Sequence, residues 1–161
     1  MRERPTARVL LLDADNRILL MKGRLPGAPA AQAVWFTLGG GMEPGETPGQ
    51  TAAREVREET GFDDVTIGEV LFRAEWIHHR SGGEPLLFKE TFLLGRCGGG
   101  EPSRAGWLAH EQSLVDDMRW WTLAALAACD EPVAPPDLVA RLSELLATTS
   151  SEIIHAPTPR S

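Results

Sequence analysis

The stretch from Gly40 to Phe62, GGMEPGETPGQTAAREVREETGF, constrains this chain more than any other. It joins the start and stop signals of one helix to more carboxylates than a helix needs for its own stability. Thr47 suits a helix cap and Pro48 the first helical position. Gln50, three residues after the cap, can reach back to the cap backbone. Gly61 supplies the stop, because glycine reaches a left-handed terminal conformation without strain. The residues between them predict about three turns. At roughly 100° per residue, Glu55, Glu58 and Glu59 share one sector, and Ala52, Ala53, Val56 and Thr60 fill the sector beside it. The helix therefore has a face of small residues that can pack closely, next to a face of three glutamates.

Like charges at this spacing repel by a few tenths of a kcal/mol per pair, about what a solvated helix tolerates. Arg54 can pair with Glu58, but one arginine does not neutralise three glutamates. A hard divalent cation can, and Mg²⁺ in particular is shared between a few carboxylates and the phosphates of a substrate. The segment REVREE alone would fit a solvated surface helix better. The residues around it decide otherwise. From Gly40, five residues lead to Glu46 and seven more to Arg54, followed directly by Glu55, Val56, Arg57, Glu58, Glu59, Thr60, Gly61 and Phe62.

That spacing resembles the signature of the Nudix hydrolases: glycine, five residues, glutamate, seven residues, then Arg-Glu-apolar-x-Glu-Glu-x-Gly-apolar. Every fixed position matches. The family often has Pro-Gly-Gly at the start, and Leu38 stands here in place of the proline, a minor departure. The resemblance implies an α/β fold, a Nudix-like α/β/α sandwich with a mixed β-sheet, and metal-dependent hydrolysis of a pyrophosphate bond in a nucleoside diphosphate linked to another moiety. It further implies that Glu55, Glu58 and Glu59, with the carbonyl of Gly40, hold one or more Mg²⁺ or Mn²⁺ ions. Arg54 and Glu46 would keep those glutamates in orientation. Nudix enzymes often draw one more carboxylate, as ligand or general base, from a region corresponding to residues 97–118 here. Glu111 is the first choice and Asp117 the second, with Glu101 and Asp116 also present. The base can equally be one of the three helix glutamates. Two other readings keep the fold. One is a ligand-binding domain without turnover, although such domains usually lose carboxylates and none is missing. The other is an isomerase of the isopentenyl-diphosphate type, for which Cys97 and Cys129 lack the expected surroundings.

Composition narrows the partners. At 161 residues the chain is long enough to bury a core as one domain, expected over residues 1–147 with a disordered tail from 148 to 161. A net charge of -7 argues against a nucleic-acid polymer as the main partner, since phosphate backbones demand basic patches. A small-molecule nucleoside diphosphate derivative is compatible with that charge if metal bridges the two. The two cysteines form no CxxC pair, so neither zinc nor a disulfide framework is indicated, and a reducing cytoplasm is expected. No apolar run is long enough to span a bilayer, and MRERPTAR has no signal-peptide core, so no membrane partner is expected. The family leaves oligomeric state open, a homodimer being a common arrangement.

Taken in order, Ala7 to Leu12 and Arg17 to Lys22 predict a hairpin about the turn residues DADN. Arg24 to Ala33 is a Pro/Ala-rich loop. Trp35 to Leu38 is a short strand entering Gly39, Gly40 and Gly41, where the backbone can approach a ligand or simply turn. Val65 to His78 and Leu86 to Gly95 are strands joined by HRSGGEP. Trp76, His78 and His79 are assigned mainly to packing and solvent, with substrate contact the lesser reading. Residues 97–118 predict a long irregular loop, of the kind that carries function or disorder. Arg119 to Thr122 predicts a closing strand, with Trp120 and Trp121 on opposite faces so that one is core and the other is free to line a pocket. A short helix follows at TLAALAA. After a proline-broken link, Pro136 to Ala147 predicts a last amphipathic helix with Leu138, Val139, Leu142, Leu145 and Leu146 inward.

Overall fold

The computed structural model describes residues 1–24, 33–107 and 114–155, with side chains as far as residue 148. Glu111 and most of the 24–33 loop lie outside the described residues. Seven strands form one mixed sheet: β1 (Arg2–Leu12), β2 (Ile18–Gly23), β3 (Val34–Gly41), β4 (Thr66–His78), β5 (Leu86–Arg96), β6 (Val115–Trp121) and β7 (Val133–Ala134). Among the described residues three helices accompany them: α1 (Pro48–Thr60), α2 (Leu123–Ala127) and α3 (Leu138–His155).

β1 is the axis of the sheet. It runs parallel to β5 from Arg2 opposite Leu86 to Leu12 opposite Arg96, and antiparallel to the end of β3. The predicted hairpin forms at its turn, where both oxygens of the buried Asp13 are spent: Oδ1 accepts from the amides of Asp15 and Arg17, and Oδ2 from Arg17 Nε. Beyond the turn the two strands part, with only Leu12 and Ile18 in register. β3 fills the gap. Its first half pairs with β2, Val34 opposite Gly23 to Thr37 opposite Leu20, and its second half pairs with β1, Leu38 opposite Val9 to Gly41 opposite Thr6. A strand shared in this way curls the sheet and carries the glycines into its centre. The glycines are therefore strand, not turn. Gly39 has φ +134, and a Cβ there would fall 2.1 Å from the Ala7 carbonyl oxygen, so only glycine lets β3 approach β1 so closely.

Side chains alternate across β1. Ala7, Val9 and Leu11 face α1 and join Leu38, Ala52, Val56 and Leu93 in one core layer. Leu10 and Leu12 face the other way and join Trp35, Phe92, Trp121, Leu126, Leu138 and Leu142 in a second. Because the strand is covered on both faces its sequence is an unbroken apolar run rather than an alternating one. The expected α/β/α sandwich with a mixed sheet is what forms, α1 on one face and α2 with α3 on the other.

Three boundaries differ from the sequence expectation. The long loop ends earlier, because Val115 to Met118 pairs with β2 and extends β6; Asp116 and Asp117 are thus strand residues. The proline-broken link contains β7, which adds in parallel to Trp35 and Phe36. The last helix continues past Ala147 to His155, while 156–161 lie outside the described residues. Trp121 is core and packs edge-on against Trp35. Trp120 takes the other face, stacks on Phe62 and donates to the Gly100 carbonyl.

The predicted ends of α1 are present atom for atom. Thr47 Oγ1 accepts from the Gln50 amide at 3.2 Å, Gln50 Oε1 accepts from the Thr47 amide at 2.9 Å, and Gly61 closes the helix at φ 74. Thr47→Ala should lower stability by about 1 kcal/mol in urea unfolding. Thr47→Asp, which restores an acceptor, should recover most of it.

Candidate active site

The site lies where the glycine end of β3 meets α1, and glutamates make the junction. Glu59, only 8% exposed, accepts from the Gly39 amide at 2.8 Å. Glu55 lies one turn earlier with its carboxylate against Gly40: a Cβ at position 40 would come within 2.5 Å of Glu55 Oε1. That clash is the structural reason for glycine at the first position of the motif, and it does not depend on φ. Glu58, half exposed, sits at the rim.

Arg54 organises this group. Its Nε and Nη2 donate to the two oxygens of Glu46 at 2.8 and 2.9 Å, a bidentate pair, and Nη2 also donates to the Gly41 carbonyl at 3.0 Å. Its Nη1 donates to Glu55 Oε1 at 3.0 Å and to Glu58 Oε2 at 3.4 Å. Glu46 is held in turn by the Thr51 hydroxyl and the Glu43 amide. One guanidinium thus ties the loop after β3 to two helix glutamates.

The electrostatics follow from burial. Bonding to Arg54, together with the Glu43 amide, lowers the Glu46 pKa from 4.5 to about 2. Glu55 moves the other way: burial raises its pKa, the Arg54 charge opposes that, and the neighbouring Glu58 adds to it. A carboxylate lifted by burial despite a bonded arginine has negative charge that its surroundings do not fully balance. Arg54 itself holds its proton more tightly than usual, chiefly through Glu46.

Of the four residues expected to bind metal, the fold brings Gly40, Glu55 and Glu58 to one corner and turns an oxygen of Glu59 to the Gly39 amide. Among the described residues no three His, Cys, Asp or Glu side chains converge as a ready ligand cage. The donor chemistry still fits a hard divalent ion, because Mg²⁺ usually takes one or two carboxylates and completes its shell with water and substrate phosphate. Asp117 is not drawn in: its oxygens accept from the Met118 amide and Arg119 Nη2, on a strand segment paired with Lys22.

Beyond the glycines, on the sheet face away from α1, a cleft of about 450 Å³ opens between β4, β5 and the start of α3. Aromatic and proline side chains form part of its wall, and Arg8, Glu75, Glu90 and Asp137 bring charge to it. Arg8 Nη1 donates to the Gly39 and Thr37 carbonyls, and its charge reaches Glu55, so cleft and carboxylates are neighbours. Trp76 stacks on Phe88 and also borders the cleft. Arg8 and Glu90 carried no motif; the one signal was a charge set inside the apolar run from Ala7 to Leu12.

The NUDIX domain profile matches residues 2–146. The RNA pyrophosphohydrolase of Aeromonas hydrophila subsp. hydrophila is 28% identical over 128 residues, covering 73% of this chain and 69% of that protein. Among solved structures, the E. coli dihydroneopterin triphosphate pyrophosphohydrolase superposes with TM-score 0.65 at 17% identity, over 92% of this chain and 99% of its own. A MutT NUDIX hydrolase from Burkholderia pseudomallei gives TM-score 0.61 at 20% identity, over 90% and 99%. The chain belongs to the Nudix family. It is an enzyme of the pyrophosphohydrolase class, which the complete motif and the preserved carboxylates fit. No helix among the described residues is long and apolar enough to cross a membrane.

Since the folded pKa of Glu46 lies below its unfolded value, its pairing with Arg54 stabilises the fold above about pH 4.5 and is lost as pH falls toward 2. Acid unfolding followed by circular dichroism should therefore be shallower over that window for Glu46→Gln than for the unsubstituted chain. Equal slopes would show that the pair carries no such linkage.

Proposed function

We propose that this chain hydrolyses the pyrophosphate bond of a small nucleoside diphosphate derivative at the junction of β3 and α1, with a divalent ion bound there. The observation that carries the reading is Glu55, half-buried against Gly40 and beside Glu58, with a cleft of nucleoside size adjoining it through Arg8. Glu55, Glu58 and the Gly40 carbonyl would hold Mg²⁺ or Mn²⁺, with Glu59 joining if its side chain turns from Gly39. When bound, such an ion supplies charge neutralisation for the pyrophosphate and a water of lowered pKa.

The chain's own residues do the rest. Arg54 keeps Glu55 and Glu58 close together, which their mutual repulsion would otherwise oppose. The bond from the Gly39 amide to Glu59 fixes the helix against the strand, so that the carboxylates keep their distance from the backbone carbonyls. Glu58, the most exposed of the three, would accept a proton from an attacking water, with Glu111, outside the described residues, the alternative base. The cleft binds and orients the moiety to which the diphosphate is attached. The RNA substrate named for the Aeromonas relative is not carried over, because a net charge of -7 opposes a polymer of phosphates.

The test is a panel of nucleoside triphosphates, nucleotide sugars, ADP-ribose and dinucleoside polyphosphates, with Mg²⁺ or Mn²⁺ and with chelator as control. Scoring released mono- and diphosphates separates turnover from mere binding. Glu55→Gln and Glu58→Gln should leave the fold intact and lower kcat by about a hundredfold or more, the usual size of effect for losing one group that stabilises developing charge. Full activity in both would sink the assignment.

A further inference from the structure

Arg8 is the one cationic side chain among those lining the cleft, and three of its bonds are spoken for. Its Nε donates to Glu90 Oε2 at 3.1 Å, and its Nη1 to the carbonyls of Thr37 and Gly39 at 3.4 and 3.3 Å. Nη2 makes no hydrogen bond among the described residues. The side chain is 14% exposed and lines the cleft. A donor with no protein acceptor is open to one that a ligand supplies.

The guanidinium cannot swing away to satisfy itself. Glu90, 12% exposed, accepts from Arg8 with one oxygen and from Trp76 Nε1 at 2.8 Å with the other. Trp76 is in turn stacked on Phe88, with ring centroids 4.3 Å apart and planes within 6°. The result is a rigid triad of Arg8, Glu90 and Trp76, with Phe36 and Phe92 also lining the space. The flat face of Trp76 beside this guanidinium suits a planar ring.

Charge decides what kind of acceptor the ring must offer. Glu90 already balances Arg8, while Glu75 and Asp137 also line the cleft and Glu55 lies close behind it. The recess is therefore not electropositive, and a phosphate inside it is disfavoured. A neutral carbonyl oxygen is the better match. Guanine presents one, together with a ring nitrogen acceptor, to an arginine; adenine presents an amino donor at the same place, which would set donor against donor.

We propose that Arg8 determines substrate specificity, its free Nη2 selecting a nucleotide whose base carries a ring carbonyl, as guanine and hypoxanthine do, over adenine. This rests on the nucleotide reading above and deepens it.

Binding tests it without turnover. The full chain is titrated calorimetrically with guanosine, inosine and adenosine monophosphates, with no metal added, alongside Arg8→Gln and Arg8→Lys. The lysine variant retains a cation beside Glu90, which guards against loss of fold. Guanosine and inosine monophosphates should bind about tenfold more tightly than adenosine monophosphate, the scale of one well-placed base contact. In both variants that ratio should fall to within about twofold. The proposal is overturned if adenosine monophosphate binds as tightly as the others, if none binds, or if the preference survives in either variant. Base preference with no hydrolysis of any nucleotide would sink the hydrolase assignment alone; hydrolysis without base preference would sink only the role of Arg8.

Discussion

The contact on which the site depends is a carboxylate bonded to a backbone amide: Glu59 to Gly39, across the seam between helix and sheet. Burying an acidic side chain costs several kcal/mol unless it finds a donor, and this one finds a donor that β3 would otherwise leave for water. The bond sets the height of α1 above the strand. With that height fixed, Glu55 falls one turn away against Gly40, where any Cβ would expel it. Val56 and Ala52, fully buried on the same helix, anchor the seam from the apolar side.

A second constraint acts on charge rather than position. Glu43, Glu46, Glu55 and Glu58 all lie within ion-pair distance of Arg54. Its bidentate pairing with Glu46 leaves a single nitrogen, Nη1, to face both Glu55 and Glu58. Neutralisation is therefore incomplete on the side that faces outward. The helix keeps an excess of negative charge at one corner, next to a cleft. Surface ion pairs by themselves contribute little to stability, so an arrangement this dense is better understood as holding side chains in place.

The sheet joins these parts into a site. Because β3 pairs first with β2 and then with β1, its glycine end emerges in the middle of the sheet rather than at an edge. One side of that end faces α1 and the carboxylates. The other faces the recess between β4, β5 and the start of α3, where β7 and the prolines after it form part of the wall. Arg8 stands between the two because β1 lies directly beside β3, opposite Gly39.

Much of this was legible in the residues alone. The cap, stop and glutamate spacing of α1 are local matters, set by backbone conformation and by a period of 3.6, so Thr47, Gln50, Gly61 and the carboxylate face could be read without a fold. The apolar runs gave the strands for the same reason, and the motif gave the family. Pairing could not be read, because register between distant strands depends on which faces are buried together. β7 is two residues long, and the lengthening of β6 into an expected loop is imposed by β2. Arg8, Glu90 and Trp76 come from three strands and share no spacing; only the sheet brings them to one recess. The sequence by itself determined a helix that presents acids beside a glycine turned toward them. The tertiary structure alone decided what lies on the far side of that glycine, because a cleft is a relation between surfaces that no single segment contains.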